Sequence, residues 1–298
     1  MDNPKGSVAR LLQESASDAF IREQSERALL RTVAASPDDG DASTQLRLVR
    51  LGFMHETRAF ASMLSDANTK AAEELFKEAF RSWSSLASPD GVPQVAALID
   101  GELPEPHLTG ELSFALHLAV CGVMASKPAE VRLSLQWFKL EEPNAPVFWE
   151  RHVAGHIARA LVLLTRKGNG WADVERAAKS VRTLRGLQKE FEAQWLDEQG
   201  KPTAQQHSAL RLIALYHLAQ IVTLLAEYLT DGSGGSERLV RVIERHYESA
   251  RKAAIGARSG QALDFANLVR FGATKLALNS IWTHVAGSVR TLRLSRSS

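Results

Sequence analysis

The stretch TAQQHSALRLIALYHLAQIVTLLAEYLT, residues 203–230, decides the fold. Leu210, Ile213, Ala214, His217, Ile221, Leu224, Leu225 and Tyr228 recur every three or four residues, the period of an α-helix. They form one wide apolar face, which must be buried against other elements. The helix breakers EQGKP (198–202) and DGSGGS (231–236) bound the stretch. Thr203 and Ser236 are the expected N-caps of this helix and the next.

The same period recurs on both sides. It predicts helices over 7–35, 43–65, 67–87, 92–99, 109–126, 128–140, 147–167, 171–198, 236–257 and 260–286. The last of these spreads Leu263, Phe265, Leu268, Val269, Phe271, Leu276, Ile281 and Trp282 around most of its circumference, so it and 203–230 read as central. SPDDGDAS (36–43), SPDG (88–91), GELPEPH (101–107), EEPNAP (141–146) and KGNG (167–170) supply further breaks. No run alternates like a strand, and no βαβ rhythm occurs. Consecutive long helices joined by short loops form antiparallel hairpins.

The expected fold is therefore all-α. It consists of stacked antiparallel helical hairpins, helical-repeat or solenoid-like, in a single domain over 1–286, with 141–146 as the place for any sub-division. A basic tail or linker follows at 287–298. Gly52, Gly122, Gly155, Gly186 and Gly272 fall inside these helices, where glycine costs about 1 kcal/mol relative to alanine. Close packing of a neighbouring helix is the expected compensation.

Composition agrees with this class. The 298-residue chain is 45% hydrophobic and 23% charged, with only 3 Tyr. That balance is typical of a globular protein long enough to bury a large core without staples. The one cysteine, Cys121, excludes an intrachain disulfide. The N-terminus MDNPKGSVARLL has no basic segment followed by an apolar core, and no window approaches 18 uncharged apolar residues. A cytoplasmic protein without a membrane span is expected. The net charge of +2 hides a polarity: residues 250–298 carry +7 and the remainder −5.

Motifs exclude more chemistry than they suggest. His152 and His156 stand i, i+4 within FWERHVAGHIARALVLL (148–164), as zinc ligands do, but Val153 stands where H-E-x-x-H requires Glu. A structural pair is expected. No histidine has Glu three residues before it, which excludes the di-iron bundle motif. His117 and Cys121 share a wholly apolar setting, so a core thiol is expected. The loop Asp38-Asp39-Gly40-Asp41 reads as solvated. There is no G-x-x-x-x-G-K-[ST] and no G-x-S-x-G. No catalytic residue, metal or cofactor is assigned, and the chain is expected not to be an enzyme.

The functional signal is electrostatic. In 171–198, Arg176, Lys179, Arg182, Arg185 and Lys189 fall in one half of the helical wheel, diluted by Glu175 and Glu190. Val174, Ala177, Val181, Leu184, Leu187, Phe191 and Trp195 fall in the other half. With Arg290, Arg293 and Arg296 of the tail, these cations are the expected polyanion-binding residues. Helix 236–257 pairs its arginines with Glu244 and Glu248 and reads as an ordinary surface.

Two resemblances complete the reading. Ala72-x3-Phe76-x2-Ala79 resembles the second helix of a tetratricopeptide motif, without a regular 34-residue repeat. SVARLLQESASDAFIREQSERALL (7–30), with FGATKLALNSIWTHVAGSVRTLR (271–293), resembles the helical N-terminal region of large bacterial superfamily-2 helicase-like proteins. That resemblance implies a motor domain after the basic tail. It also implies a regulatory or docking role for these helices, in defence against foreign nucleic acid. None of that family's catalytic residues is present. The expected function is a non-catalytic helical scaffold binding a protein partner or adjoining domain. The alternatives are a module that grips the nucleic-acid backbone through its basic face, and an enzyme with an unfamiliar helical active site.

Overall fold

A computed structural model describes residues 41–65, 69–102, 108–142, 149–166, 171–195, 207–231 and 235–278. The protein is all-α, with no strand among the described residues. The helices are α1 (Asp41–Ser65), α2 (Thr69–Leu86), α3 (Gly91–Glu102), α4 (Gly110–Met124) and α5 (Pro128–Leu135). They continue with α6 (Trp149–Thr165), α7 (Trp171–Trp195), α8 (His207–Asp231), α9 (Ser236–Gly256) and α10 (Gly260–Leu278). The expected helix at 7–35, the loop residues Asp38 to Gly40, the N-cap Thr203, and Ile281, Trp282 and the tail at 287–298 lie outside the described residues.

The chain divides into two compact units, Met1–Ala87 and Ser88–Ser298. The boundary falls at the SPDG break, and 141–146 lies inside the second unit. In the first unit α1 and α2 pair as an antiparallel hairpin. The ring of Phe53 meets Trp83 edge-on at 4.9 Å, and further along α1 Phe60 meets Phe76 at 5.2 Å, earlier on α2. Ala72, Phe76, Ala79, Phe80, Trp83 and Leu86 are the buried face of α2. The opposite face carries ion pairs of Lys77 with Glu73 and Glu74 and of Arg81 with Glu78. A Cβ on Gly52 would lie 2.5 Å from the Trp83 indole, so the helices touch there because a side chain is missing.

In the second unit α4 is the hub, packed by α3, α5, α6 and α10. Every residue from Leu112 to Met124 is buried, including His117 and Cys121, because neighbours surround the helix. The Thr109 hydroxyl accepts from Leu112 N to cap it, and Gly110 N donates to Asp100 Oδ1 at 2.8 Å, joining α3 to α4. Gly272 of α10 sits where Val120 of α4 and Leu161 of α6 converge, each 3.3 Å from where its Cβ would be. Gly122 and Gly155 are buried as well. Gly186 departs from the expectation: no neighbouring side chain or element lies within 4 Å of where its Cβ would be.

Helix α8 packs against α6, α7, α9 and α10. Leu212, Leu215, Leu218 and Val222 are therefore buried in addition to Ile213, Ala214, Ile221 and Leu225, whereas Leu210, His217, Leu224 and Tyr228 of the expected stripe are only half-buried, so the buried surface is turned from the one read from the sequence. By length and composition, Leu210–Leu229 is the one stretch among the described residues apolar enough to cross a membrane, and 61% of it is buried inside the protein. Within the second unit consecutive helices pack on one another, and α10 also packs on α4. That last contact joins distant parts of the chain, which an open stack of nearest neighbours would not do.

Several boundaries differ from the sequence reading; α3, expected to end at 99, runs on to Glu102. Gly235 rather than Ser236 is the N-cap of α9. The helix expected over 128–140 stops at Leu135. Beyond it the chain turns irregular so that Phe138 and Leu140 enter the core, with Phe138 edge-on to Phe114 of α4 at 4.9 Å. Leu140 takes φ 52 to do so. The backbone N–H groups of Lys139 and Leu140 both donate to Glu111 Oε1, at 2.7 and 3.5 Å, which replaces the lost helical bonds.

Candidate functional site

The basic amphipathic reading of α7 fits its burial. Ala177, Ser180, Val181 and Leu184 are buried, whereas Arg176, Lys179, Arg182, Arg185 and Lys189 are all exposed. The side chains of Val174, Phe191 and Trp195 lie outside the described residues, as do Arg290, Arg293 and Arg296. The cations run along about 20 Å of helix at 1.5 Å per residue. Carboxylates already meet Lys179 and Arg185. Lys179 Nζ lies 3.1 Å from Glu142, and Arg185 pairs with Glu227 of α8. Glu175 and Glu190 are exposed on α7 itself.

Beneath this face lies a group of residues that the sequence reading did not assemble. Arg159 of α6 is only 5% exposed. Its Nε donates to the Leu140 carbonyl at 3.1 Å, and its guanidinium donates to Ser180 Oγ of α7 at 2.7 Å. One side chain thus joins α6, α7 and the irregular segment after α5. Burial pulls its pKa down, opposed by Glu142 and reinforced by Arg176. The signal in the sequence was a lone arginine inside the otherwise apolar run IARALVLL, three residues after His156.

His152 and His156 sit on the same side of α6, with rings edge-to-face at 4.6 Å. His156 is 5% exposed, and the buried Nδ1 of each has no hydrogen-bond partner among the described residues. Burial first, then His152 and Arg159, push the pKa of His156 down from 6.5 to about 4, against a smaller opposing effect of Glu142. It is a neutral imidazole at pH 7. Glu142 is held below the ordinary carboxylate range, first by its hydrogen bond from Lys179, with Arg159 and His156 adding to it. Among the described residues no three His, Cys, Asp or Glu side chains come together as metal ligands.

A second histidine pair was not legible as a pair. His217 of α8 and His246 of α9 approach at 3.2 Å between their Nδ1 atoms, so one donates to the other. Burial, then His246, lowers the pKa of His217 to about 4. The expected ion pairing of α9 is also partly redirected. Glu248 meets Arg251, but Glu244 reaches across to Arg270 of α10 at 2.8 Å.

The chain matches no protein-family model, no characterised protein and no solved structure.

Proposed function

We propose that this chain is a non-catalytic helical scaffold that docks an acidic protein partner on the exposed face of α7. The observation that carries this reading is the seating of carboxylates on that face. Glu142 and Glu227 meet Lys179 and Arg185, so the cations are spaced to receive carboxylates from more than one direction. Charge separates the reading from nucleic-acid binding. Affinity for a phosphate backbone grows with the number of cations that displace counterions. Here five cations stand among Glu142, Glu175, Glu190 and Glu227, which leaves the face close to neutral. A mixed face of this kind selects a partner by pattern, with arginine favoured where planar carboxylates are recognised. A cytoplasmic setting, and docking to a helicase-like motor domain of a longer parent protein, go with this proposal.

The test uses the full chain and the double variant Arg182→Glu, Lys189→Glu. Binding of a fluorescent glutamate-rich helical peptide and of duplex DNA is followed by anisotropy from 50 to 200 mM salt. The scaffold reading expects peptide binding that weakens at least about tenfold in the variant, and weak DNA binding. Tight DNA binding with a log–log salt slope of about −4, abolished in the variant, would instead make this a nucleic-acid module.

A further inference from the structure

We propose that Arg159, His156 and Lys179 form a carboxylate-binding site that Glu142 occupies in the isolated chain, and that an acidic segment of the protein partner displaces Glu142. The inference rests on the scaffold reading above and names its anchor and its internal competitor.

Arg159 carries five N–H donors, and among the described residues its hydrogen bonds go to two neutral acceptors, the Leu140 carbonyl and Ser180 Oγ. A guanidinium this deeply buried is best stabilised by a carboxylate with fork geometry, and leaving it without one is costly. Beside it the His156 imidazole presents a buried Nδ1 with no partner among the described residues. Lys179 adds an ammonium from the neighbouring helix. The imidazole and the guanidinium of α6 thus lie against α7 at Ser180, the residue after Lys179.

Glu142 is the carboxylate that answers this cluster, and it does so weakly. It bonds Lys179 at 3.1 Å from a side chain that is 47% exposed, and it acts on Arg159 and His156 through space. An exposed ion pair of this kind contributes little and exchanges easily. Its mounting also suits exchange. Glu142 follows Leu140 on the irregular stretch after α5, and the Leu140 carbonyl is the acceptor held by Arg159 Nε. A displacement of residues 141 and 142 therefore withdraws the internal carboxylate while Leu140, anchored upstream, stays in place. Leu140 is held at φ 52, a conformation that L side chains adopt only when their surroundings impose it. The stretch is kept in place by Glu111 and by the burial of Phe138 and Leu140, all of which act upstream of Glu142.

The experiment measures binding of the same glutamate-rich peptide to the full chain by anisotropy. Glu142→Gln should bind about tenfold more tightly than the parent chain. Adding Arg159→Lys to Glu142→Gln should cancel the gain, since an ammonium lacks the fork. If that double variant does not fold by circular dichroism, Lys179→Gln on the Glu142→Gln background takes its place and should cancel the gain equally. Glu237→Gln removes the same charge from the exposed first turn of α9 and should change affinity by no more than about twofold. Unchanged or weaker binding by Glu142→Gln would overturn the proposal. So would a gain that survives the second substitution or that Glu237→Gln reproduces. The two readings fail separately. Loss of peptide binding in Arg182→Glu, Lys189→Glu without an effect of Glu142→Gln keeps the scaffold and removes the internal competitor. The reverse pattern keeps the Arg159 site and removes the wider α7 face.

Discussion

At single positions the same substitution has opposite signs, and the neighbourhood decides which. Gly110 opens α4 against the backbone carbonyl of Ala96, which a Cβ would strike. A backbone oxygen cannot swing aside, so Gly110→Ala should destabilise the protein by about 3 kcal/mol. Gly186 is exposed in the middle of α7 with no neighbouring side chain or element within 4 Å of where its Cβ would be. Gly186→Ala should stabilise by about 1 kcal/mol, through helix propensity and a less flexible unfolded chain. Urea unfolding of the two variants beside the parent checks both, and equal shifts would refute the geometric account. Arg258 gives a third case. It ends α9 at φ 53, where Ser259 N donates to the Ala254 carbonyl in the manner of a helix C-terminus that prefers glycine. Arg258→Gly should raise stability by about 1 kcal/mol in the same assay.

Between elements, the pair α9 and α10 shows how much was readable and how much was not. Their existence and their apolar faces follow from period alone, and the observed ends at Gly256 and Gly260 fall at the expected break. Their clasp does not follow from period. Tyr247 donates to Asn267 Oδ1 at 2.8 Å inside the core, and Arg270 lies 4.4 Å above the Tyr247 ring while pairing with Glu244. A one-dimensional pattern gives the face of each residue, but not which residue of another helix it meets. Tyr247→Phe should cost about 1–2 kcal/mol, because Asn267 is fully buried and loses its donor. A double-mutant cycle with Asn267→Leu should recover part of that cost, and strict additivity would mean the hydrogen bond contributes nothing. The same limit explains the helix expected over 128–140. Its period was sound through Leu135, but Phe138 and Leu140 reach the core only by leaving the helix, a demand set by Phe114 on another element. The Arg159 cluster was hidden for the same reason. Arg159, Ser180 and Glu142 come from three separate parts of the chain, and motif and charge pattern single out only His156 and Lys179.

At the scale of the molecule, local pattern placed the helices without showing where the chain divides. The SPDG break that separates the two units looks no different from the breaks inside the second one. What unites the second unit chemically is a set of imidazoles kept neutral by burial, and this makes its stability depend on pH in a definite direction. The pKa of His156 falls from 6.5 to about 4 through burial, His152 and Arg159, and that of His217 falls to about 4 through burial and His246. Between those two values the unfolded chain takes up protons that the folded chain refuses, so stability drops as pH falls from about 6.5 toward about 4 and stays level above that window. Each imidazole contributes on the order of 2–3 kcal/mol at the acid end, since one pKa unit corresponds to about 1.4 kcal/mol. Glu142, whose carboxyl is held low chiefly by Lys179, loses its contribution in the same direction, at the bottom of the window. Thermal unfolding from pH 7.5 to 4.5 should therefore show a falling Tm that begins near pH 6.5. His156→Gln and His217→Gln should each flatten the fall, and more so together, because the two pairs lie on different helices and titrate independently. A profile that is flat above pH 4.5 in the parent chain would mean that both imidazoles reach solvent and take their protons without unfolding, and the packing of α6 and of α8 against α9 would then be looser than their burial requires.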